Sequence, residues 1–203
     1  MQVLEQPQQP QPKELKPTPE AEALYRRWVS HLNDEFTRSD SPERRAEVVR
    51  DELYQIYLGR PHGGKVPANL TSELGSSVLA ATFDPLNVTL EAEYLEGIDQ
   101  KRFAPRKPLI WFWRMYDRSP LGLNRWLGVR VRCMLSQHIF ASVGKGVKIG
   151  CGLEFTFGYD IRLGDNVRIG RNVILDDRSG LVIPAGTVVK EGTRVDGSIG
   201  QRE

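Results

Sequence analysis

The sequence predicts an α+β fold, in which an N-terminal helical region precedes a short coil of parallel β-strands. Three features predict it: apolar residues recur every four positions near the N-terminus, a segment rich in aromatic and basic residues follows, and an apolar residue then recurs every six positions. The six-residue series slips by two residues twice. It comprises Val143, Ile149, Phe155, Ile161, Leu163, Ile169, Leu175, Leu181, Ile183, Val189 and Val195.

Two amphipathic helices are expected between residues 20 and 59. Thr18 is the predicted N-cap of the first helix, because its side chain can accept a hydrogen bond from a first-turn N–H group. Ser41 begins the second helix in the same way, and Gly59 followed by Pro61 ends it. The apolar stripes that predict a helical hairpin are Leu24, Trp28, Leu32 and Phe36 in the first helix, and Val49, Leu53, Ile56 and Tyr57 in the second.

Composition divides the rest of the chain. The first residues are rich in Gln and Pro and too polar to fold alone, and the stretch after the helices is punctuated by Gly and Pro. The five predicted segments are a disordered tail at 1–19, a helical hairpin at 20–59, a linker or irregular arm at 60–108, a basic aromatic capping segment at 109–140 and the β-coil at 141–203.

Residues 101–135 combine many basic residues with aromatic ones and contain a single acid, Asp117. One interpretation is a helical cap that packs its aromatic side chains over the open end of the coil and leaves its arginines in water, because an open end exposes strand edges and apolar core. The other is contact with a membrane surface. The two interpretations are compatible. The aromatic residues are Trp111, Phe112, Trp113, Tyr116 and Trp126.

The six-residue period describes a repeated structural unit. A strand alternates faces every two residues, so six residues make one short strand and one corner. Three such units return the chain to its starting side, and the recurring apolar residue then always points inward. The series predicts between about three and four turns of about eighteen residues each. A slip of two residues keeps the alternation, so Ile161 and Leu163 are both expected to face inward around a corner.

The repeat resembles the hexapeptide-repeat family, whose units read aliphatic-Gly-x-x-small-x. Glycine follows the apolar residue at Gly144, Gly150, Gly164 and Gly170. The resemblance implies a left-handed parallel β-helix of triangular cross-section and a homotrimer. Residues 109–150 also look like the lead-in of bacterial hexapeptide acyltransferases.

A closer likeness lies in residues 157–167 and 173–177. These segments look like those of sugar O-acetyltransferases of the maltose and galactoside types, next to the active site. The likeness implies transfer of an acetyl or acyl group from coenzyme A to a sugar-like hydroxyl, with acetyl-CoA as co-substrate and no bound cofactor. It places Asp176 and Asp177 in the acceptor pocket, and Asn172 and Arg178 are neighbours that could line the same corner. The alternative is that all four were selected for turn geometry.

Acyl transfer to a hydroxyl needs a base, and histidine suits this role because its pKa lies near neutrality. The resembled enzymes carry this histidine after the acidic segment, but no histidine follows His138 in this chain. The turns that would carry it, between Leu181 and Ile183, are absent, so the repeat is shortened relative to the family. His138 is a weak candidate base, acting in a neighbour's groove of a trimer; the alternative is a role in helix packing. A catalytically inactive β-helix that serves as a trimerising or binding scaffold is therefore the second hypothesis.

Composition argues against several other functions. A net charge of +2 gives no global signal for nucleic acid. The two cysteines, Cys133 and Cys151, form neither a disulfide framework nor a zinc pattern, and the three histidines lie outside the repeats. The N-terminus has no apolar core typical of a secretory signal, and no stretch is long and apolar enough to span a membrane. The expected location is the cytoplasm.

Overall fold

A computed structural model describes residues 15–39, 41–63 and 74–197 of the chain. Most of the predicted tail and the last residues of the predicted β-coil lie outside the described residues. The described part is an α+β structure, in which helices occupy the N-terminal side and β-strands follow from residue 142. None of the described helices combines the length and the apolarity that a membrane crossing needs.

Helix α1 (Pro19–Arg38) and helix α2 (Pro42–Leu58) begin where the sequence predicts. The hydroxyl of Thr18 accepts a hydrogen bond from the N–H of Ala21, and Gly59 ends α2 with a left-handed φ of 63° that only glycine adopts at little cost. The two helices pack mainly on later helices, α1 on α7 (Arg125–Ile139) and α2 on α5 (Lys107–Arg118), and less on each other.

The stretch interpreted as a linker contains ordered, packed elements. Helix α3 (Leu74–Thr82), two short 3-10 segments (Pro85–Asn87 and Glu91–Tyr94) and helix α4 (Gln100–Phe103) follow one another. The apolar side chains Phe83, Leu90 and Phe103 are buried in the common core. The 3-10 segments and α4 are too short for an apolar period to repeat, which explains why the sequence did not predict them. Residues 64–73 of this stretch lie outside the described residues.

Helices α5 and α7 cover the first turn of the coil, and α6 (Pro120–Leu123) packs against both of them. Trp113 and Phe140 approach the ring of Phe155 edge-on, with centroid distances of 5.5 and 5.2 Å. Phe112, Trp113 and Tyr116 are buried, so this segment packs its aromatic residues inward as the capping interpretation expects.

Arg132 departs furthest from the expectation that the arginines of this segment lie in water. Arg132 is only 2% exposed, and its Nε donates to Oδ1 of Asp117 at 2.7 Å. The other oxygen of Asp117 accepts the backbone N–H of Gly152 at 2.9 Å. The segment's single acid therefore joins α7 to the first turn of the coil, because a buried guanidinium needs an anionic partner.

The β-coil (residues 142–196) passes through three sheets in rotation. Its sheets have the strand orders β1-β4-β7, β2-β5-β8 and β3-β6-β9, and every pairing is parallel. This connectivity is compatible with a short β-helix of three turns. The strands are β1 Ser142–Val143, β2 Lys148–Ile149, β3 Glu154–Phe155, β4 Ile161–Leu163, β5 Arg168–Ile169, β6 Ile174–Asp176, β7 Leu181–Ile183, β8 Val188–Val189 and β9 Arg194–Asp196.

Each turn of the β-coil differs in length from the prediction. Val143 pairs with Leu163, and Leu163 pairs with Ile183, so one turn has 20 residues where about eighteen were expected. The two extra residues recur at both described corners that lead back to the first sheet, between β3 and β4 and between β6 and β7. Ile161 and Leu163 both face inward, but they lie on the one strand β4 and not around a corner. All the apolar positions of the series are buried except Val143, which is partly exposed.

Candidate functional site

Asp176 ends strand β6 and is held by two arginines. Its Oδ2 accepts hydrogen bonds from Nη2 of Arg178 at 2.6 Å and from Nη2 of Arg194 at 3.0 Å, and its Oδ1 accepts from Nε of Arg178 at 2.9 Å. Thr156 adds a longer hydrogen bond from its hydroxyl, at 3.4 Å. We call these four residues the Asp176 corner.

The arginines set the charge of this corner. The hydrogen bonds and the charge of Arg178, together with the hydrogen bond from Arg194, hold the pKa of Asp176 well below its usual range. A carboxylate with so low a pKa is a poor proton acceptor at neutral pH. Both arginines expose more than half of their side chains, so their remaining N–H groups point to solvent and can bind an oxygen-rich ligand.

Asp177 is buried and accepts hydrogen bonds from backbone N–H groups, unlike its neighbour Asp176, which pairs with arginines. The side chain is 0% exposed, its Oδ1 accepts the N–H of Phe157 at 2.8 Å and its Oδ2 accepts that of Asp160 at 3.3 Å. Burial raises the pKa of Asp177, and the backbone hydrogen bonds oppose that rise. Asp177 therefore fixes the corner between β3 and β4, which contains the two extra residues of that turn. Its carboxylate offers no atom to an acceptor in this conformation, in line with the turn-geometry alternative.

The corner between β3 and β4 also connects the β-coil to the helical region. The rings of Phe157 and Tyr159 stack in parallel with centroids 5.1 Å apart, and the guanidinium of Arg102 lies 4.4 Å from the Tyr159 ring centroid. Arg102 also pairs with Asp160 at 2.6 Å. The corner is thus a packed joint between α4 and the coil.

Asn172 lies away from the Asp176 corner. It occupies the turn before β6 with a left-handed φ of 52°, whereas Arg178 follows β6 at its other end. Asn172 and Arg178, which were expected to line one corner, therefore lie at opposite ends of β6, with an extended strand of about 3.3 Å per residue between them. Asparagine tolerates the left-handed region better than most residues, which accounts for its presence in this turn.

His138 lies on α7 and contacts helix α1. Its Nε2 lies 3.0 Å from Oδ1 of Asn33, and its ring meets Phe36 edge-on at 6.0 Å. Burial lowers the pKa of His138, and the charge of Arg45 lowers it further. The ring is thus engaged between α7 and α1, which agrees with the helix-packing alternative for this residue.

Two cations lie side by side on the β2-β5-β8 sheet, and a third follows its last strand, two residues beyond Val188, the register partner of Arg168. Lys148 on β2 pairs in register with Arg168 on β5, and both side chains are exposed on the outer face. Lys190 directly follows β8 and is also exposed. None of these three side chains takes part in an ion pair within the described residues. We call them the cationic strip.

Two parts of this arrangement were not found from the sequence. Arg194 and Thr156 complete the Asp176 corner, and each lies one turn of the coil away from Asp176. Strand β6 pairs with β9 on one side and with β3 on the other, which brings the two residues to it. A period of 20 residues in place of eighteen would have aligned these strands. The apolar repeat was present in the sequence, but the predicted turn of about eighteen residues was too short by two.

Comparisons of the chain with protein-family models, with curated proteins and with solved structures found no match. Within the described ranges, no group of three or more His, Cys, Asp or Glu side chains is placed to hold a metal ion. The Asp176 corner, the cationic strip and the sequence pattern are therefore the features that bear on function.

Proposed function

We propose that this chain is a cytoplasmic protein of the hexapeptide-repeat acyltransferase class, with a left-handed β-helix. It transfers an acetyl or similar acyl group from coenzyme A to a sugar-like hydroxyl, in a groove between the subunits of a homotrimer. The observation that carries the proposal is the Asp176 corner, where two exposed arginines are fixed by one carboxylate. The resemblance to sugar O-acetyltransferases suggests an acceptor pocket at this position.

The Asp176 corner is suited to bind the acceptor. Asp176 already accepts several hydrogen bonds, so its role is to orient the side chains of Arg178 and Arg194. The guanidinium groups then donate to the hydroxyl or other oxygen atoms of a sugar-like molecule. Orientation by a buried anion reduces the entropy that a flexible arginine loses when it binds a ligand.

The cationic strip is suited to bind the co-substrate. The nucleotide end of coenzyme A carries phosphates, and Lys148 and Arg168 provide two adjacent positive charges without an ion-pair partner among the described residues. Such charges attract phosphate groups through direct contacts and long-range steering. The face that carries the strip is exposed, as required for one side of a groove between subunits.

The chemistry of the reaction constrains the proposal further. The hydroxyl oxygen attacks the thioester carbonyl, a C–O bond forms, the C–S bond breaks, and the hydroxyl proton passes to the thiolate that leaves. The proton needs an acceptor on the way. Asp176 has too low a pKa, Asp177 is buried and His138 is engaged with α1, so the proposal assigns the base to none of them.

Calorimetry and a thiol-release assay test the proposal. Purified protein should bind acetyl-CoA, should bind acetyl-pantetheine more weakly because it lacks the nucleotide phosphates, and should release thiol with at least one member of a sugar panel. Arg178→Ala combined with Arg194→Ala should weaken use of the acceptor. Arg171→Ala, which removes an exposed arginine from a different corner, is the matched control. Absence of both acetyl-CoA binding and thiol release would refute the enzyme proposal.

A second candidate is a non-catalytic scaffold that trimerises or binds a partner. One observation favours it: outward strand positions carry exposed aliphatic side chains, with Val182 56% and Val188 63% exposed. These side chains lie on two different sheets, and a neighbouring subunit in a trimer would cover them. Sedimentation equilibrium separates the candidates. A stable trimer without thiol release supports the scaffold, and a monomer at micromolar concentration contradicts both trimeric proposals.

A further inference from the structure

A cleft lies in the helical region, between α1, α2 and α6. Its volume is about 310 Å³, and its walls are mainly apolar. Two polar side chains, Glu52 and Gln55, line the same cleft from α2. Small-molecule sites commonly combine apolar walls with a few polar groups that fix the orientation of the ligand. The apolar lining residues are Trp28, Ile56, Pro120 and Leu121.

The carboxylate of Glu52 is only partly satisfied. Nε1 of Trp28 donates to its Oε2 at 3.0 Å, and within the described residues Glu52 makes no ion pair with an arginine or lysine. Burial raises the pKa of Glu52, with smaller opposing effects of the Trp28 hydrogen bond and of His31. A shielded carboxylate without a cation is held at a cost in free energy, and a bound cation offsets that cost.

The α6 wall of the cleft is fixed before any ligand binds. The hydroxyl of Tyr116 donates to the carbonyl oxygen of Leu121 at 3.1 Å, and Nη2 of Arg132 donates to that of Gly122 at 2.7 Å. The Trp28 ring packs against Tyr116 with a centroid distance of 6.2 Å. A preformed wall lowers the ordering cost of binding.

We propose that this cleft binds a small organic ammonium ion with a short apolar body. The ammonium group pairs with the free oxygen of Glu52, and the apolar body lies against Ile56 and Leu121. The site lies outside the β-coil and is independent of the proposed acyl transfer.

Nuclear magnetic resonance on the full chain tests the proposal with pentylammonium chloride as the probe. The chain has four tryptophans, so four indole N–H signals are expected, and Trp28→Phe identifies the signal of Trp28. Pentylammonium should shift this signal in a saturable way at pH 7. Pentanoate and 1-pentanol at the same concentrations should bind at least about tenfold more weakly, because neither supplies a cation to Glu52.

Three variants sharpen the test. Glu52→Gln should weaken pentylammonium binding about tenfold, whereas Glu43→Gln, which removes an exposed carboxylate from the same helix, should leave it unchanged. Gln55→Lys places an internal cation one helical turn from Glu52, and should weaken binding even if Glu52→Gln folds poorly. Equal binding of pentanol and pentylammonium, or unchanged binding in both Glu52→Gln and Gln55→Lys, would overturn the proposal.

Discussion

Each turn of the β-coil repeats one register of 20 residues, whereas the helical region is joined by contacts that occur only once. In the coil, an inward side chain stacks on its equivalents in the neighbouring turns. In contrast, Arg132, Asp117 and Gly152 form an ion-paired connection between α7 and the first turn of the coil that no other turn repeats among the described residues. The comparison indicates that stability in the coil is distributed over similar positions, while in the helical region it is concentrated in a few unique contacts.

The largest effect is expected at the unique connection. Arg132→Met should lower the free energy of unfolding by about 3–5 kcal/mol, because it leaves the buried carboxylate of Asp117 without its cation. Denaturant unfolding measures the change. Arg125→Met, which removes an exposed arginine from the same helix, should change the free energy by less than about 0.5 kcal/mol.

A double variant identifies the cause. Asp117→Leu combined with Arg132→Met removes both charges, and it should recover a large part of the loss, since a buried pair can be replaced by apolar residues at little cost. If the double variant is as unstable as Arg132→Met alone, the loss comes from packing and the electrostatic explanation is wrong.

The next effect contrasts the two faces of one strand in the coil. Leu175→Ala should lower the free energy of unfolding by about 2–5 kcal/mol, because Leu175 is 0% exposed and lies in the middle turn. Ile174→Ala changes the adjacent residue, which is 36% exposed, and should cost about 1 kcal/mol or less. Similar losses for the two substitutions in chemical denaturation would contradict the inward and outward assignment.

The same contrast explains how far the sequence predicted the structure. The period identified the inward residues and the parallel coil, because every turn repeats the signal that one turn alone gives weakly. It missed the turn length, since the two extra residues fall at a corner and leave the alternation intact. Phe83, Leu90 and the partnership of Asp117 with Arg132 could not be predicted, because each is used once and pairs residues far apart in the chain.

The candidate site was predicted in the same uneven way. Asp176 and Arg178 are close in sequence and in space, so local reasoning found them together. Arg194 joins them across a neighbouring strand, which requires the correct register. Local reasoning also grouped Asn172 with Arg178, but the strand between them places the two at opposite ends.

A smaller, pH-dependent effect is expected at the Asp176 corner. Because the pKa of Asp176 is lowered on folding, its charged form stabilises the fold above the ordinary aspartate pKa, and this contribution is lost as the pH falls. Asp176→Asn should therefore cost about 1 kcal/mol at pH 7, a value discounted for the exposure of both arginines. The difference from the unaltered chain should shrink below about pH 4.

The free energy of unfolding of both chains, measured by chemical denaturation between pH 7 and about pH 3, tests this expectation. Glu154→Gln removes an exposed carboxylate from the neighbouring strand β3 and is the matched control. A difference between the unaltered chain and Asp176→Asn that stays constant from pH 7 to about pH 3 would show that Asp176 contributes through packing and not through its charge.

The smallest effect separates the two roles considered for Asn172. Its left-handed φ of 52° favours glycine and penalises alanine, so Asn172→Ala should cost about 1 kcal/mol of unfolding free energy and Asn172→Gly should be nearly neutral. If Asn172 is needed only for the turn, Asn172→Gly should keep full acetyl-CoA and acceptor binding. If Asn172 contacts a ligand, both variants should lose binding, whatever their stability. Calorimetry on the two variants beside thermal unfolding distinguishes these outcomes, because backbone strain and a lost ligand contact depend on different properties of the same side chain.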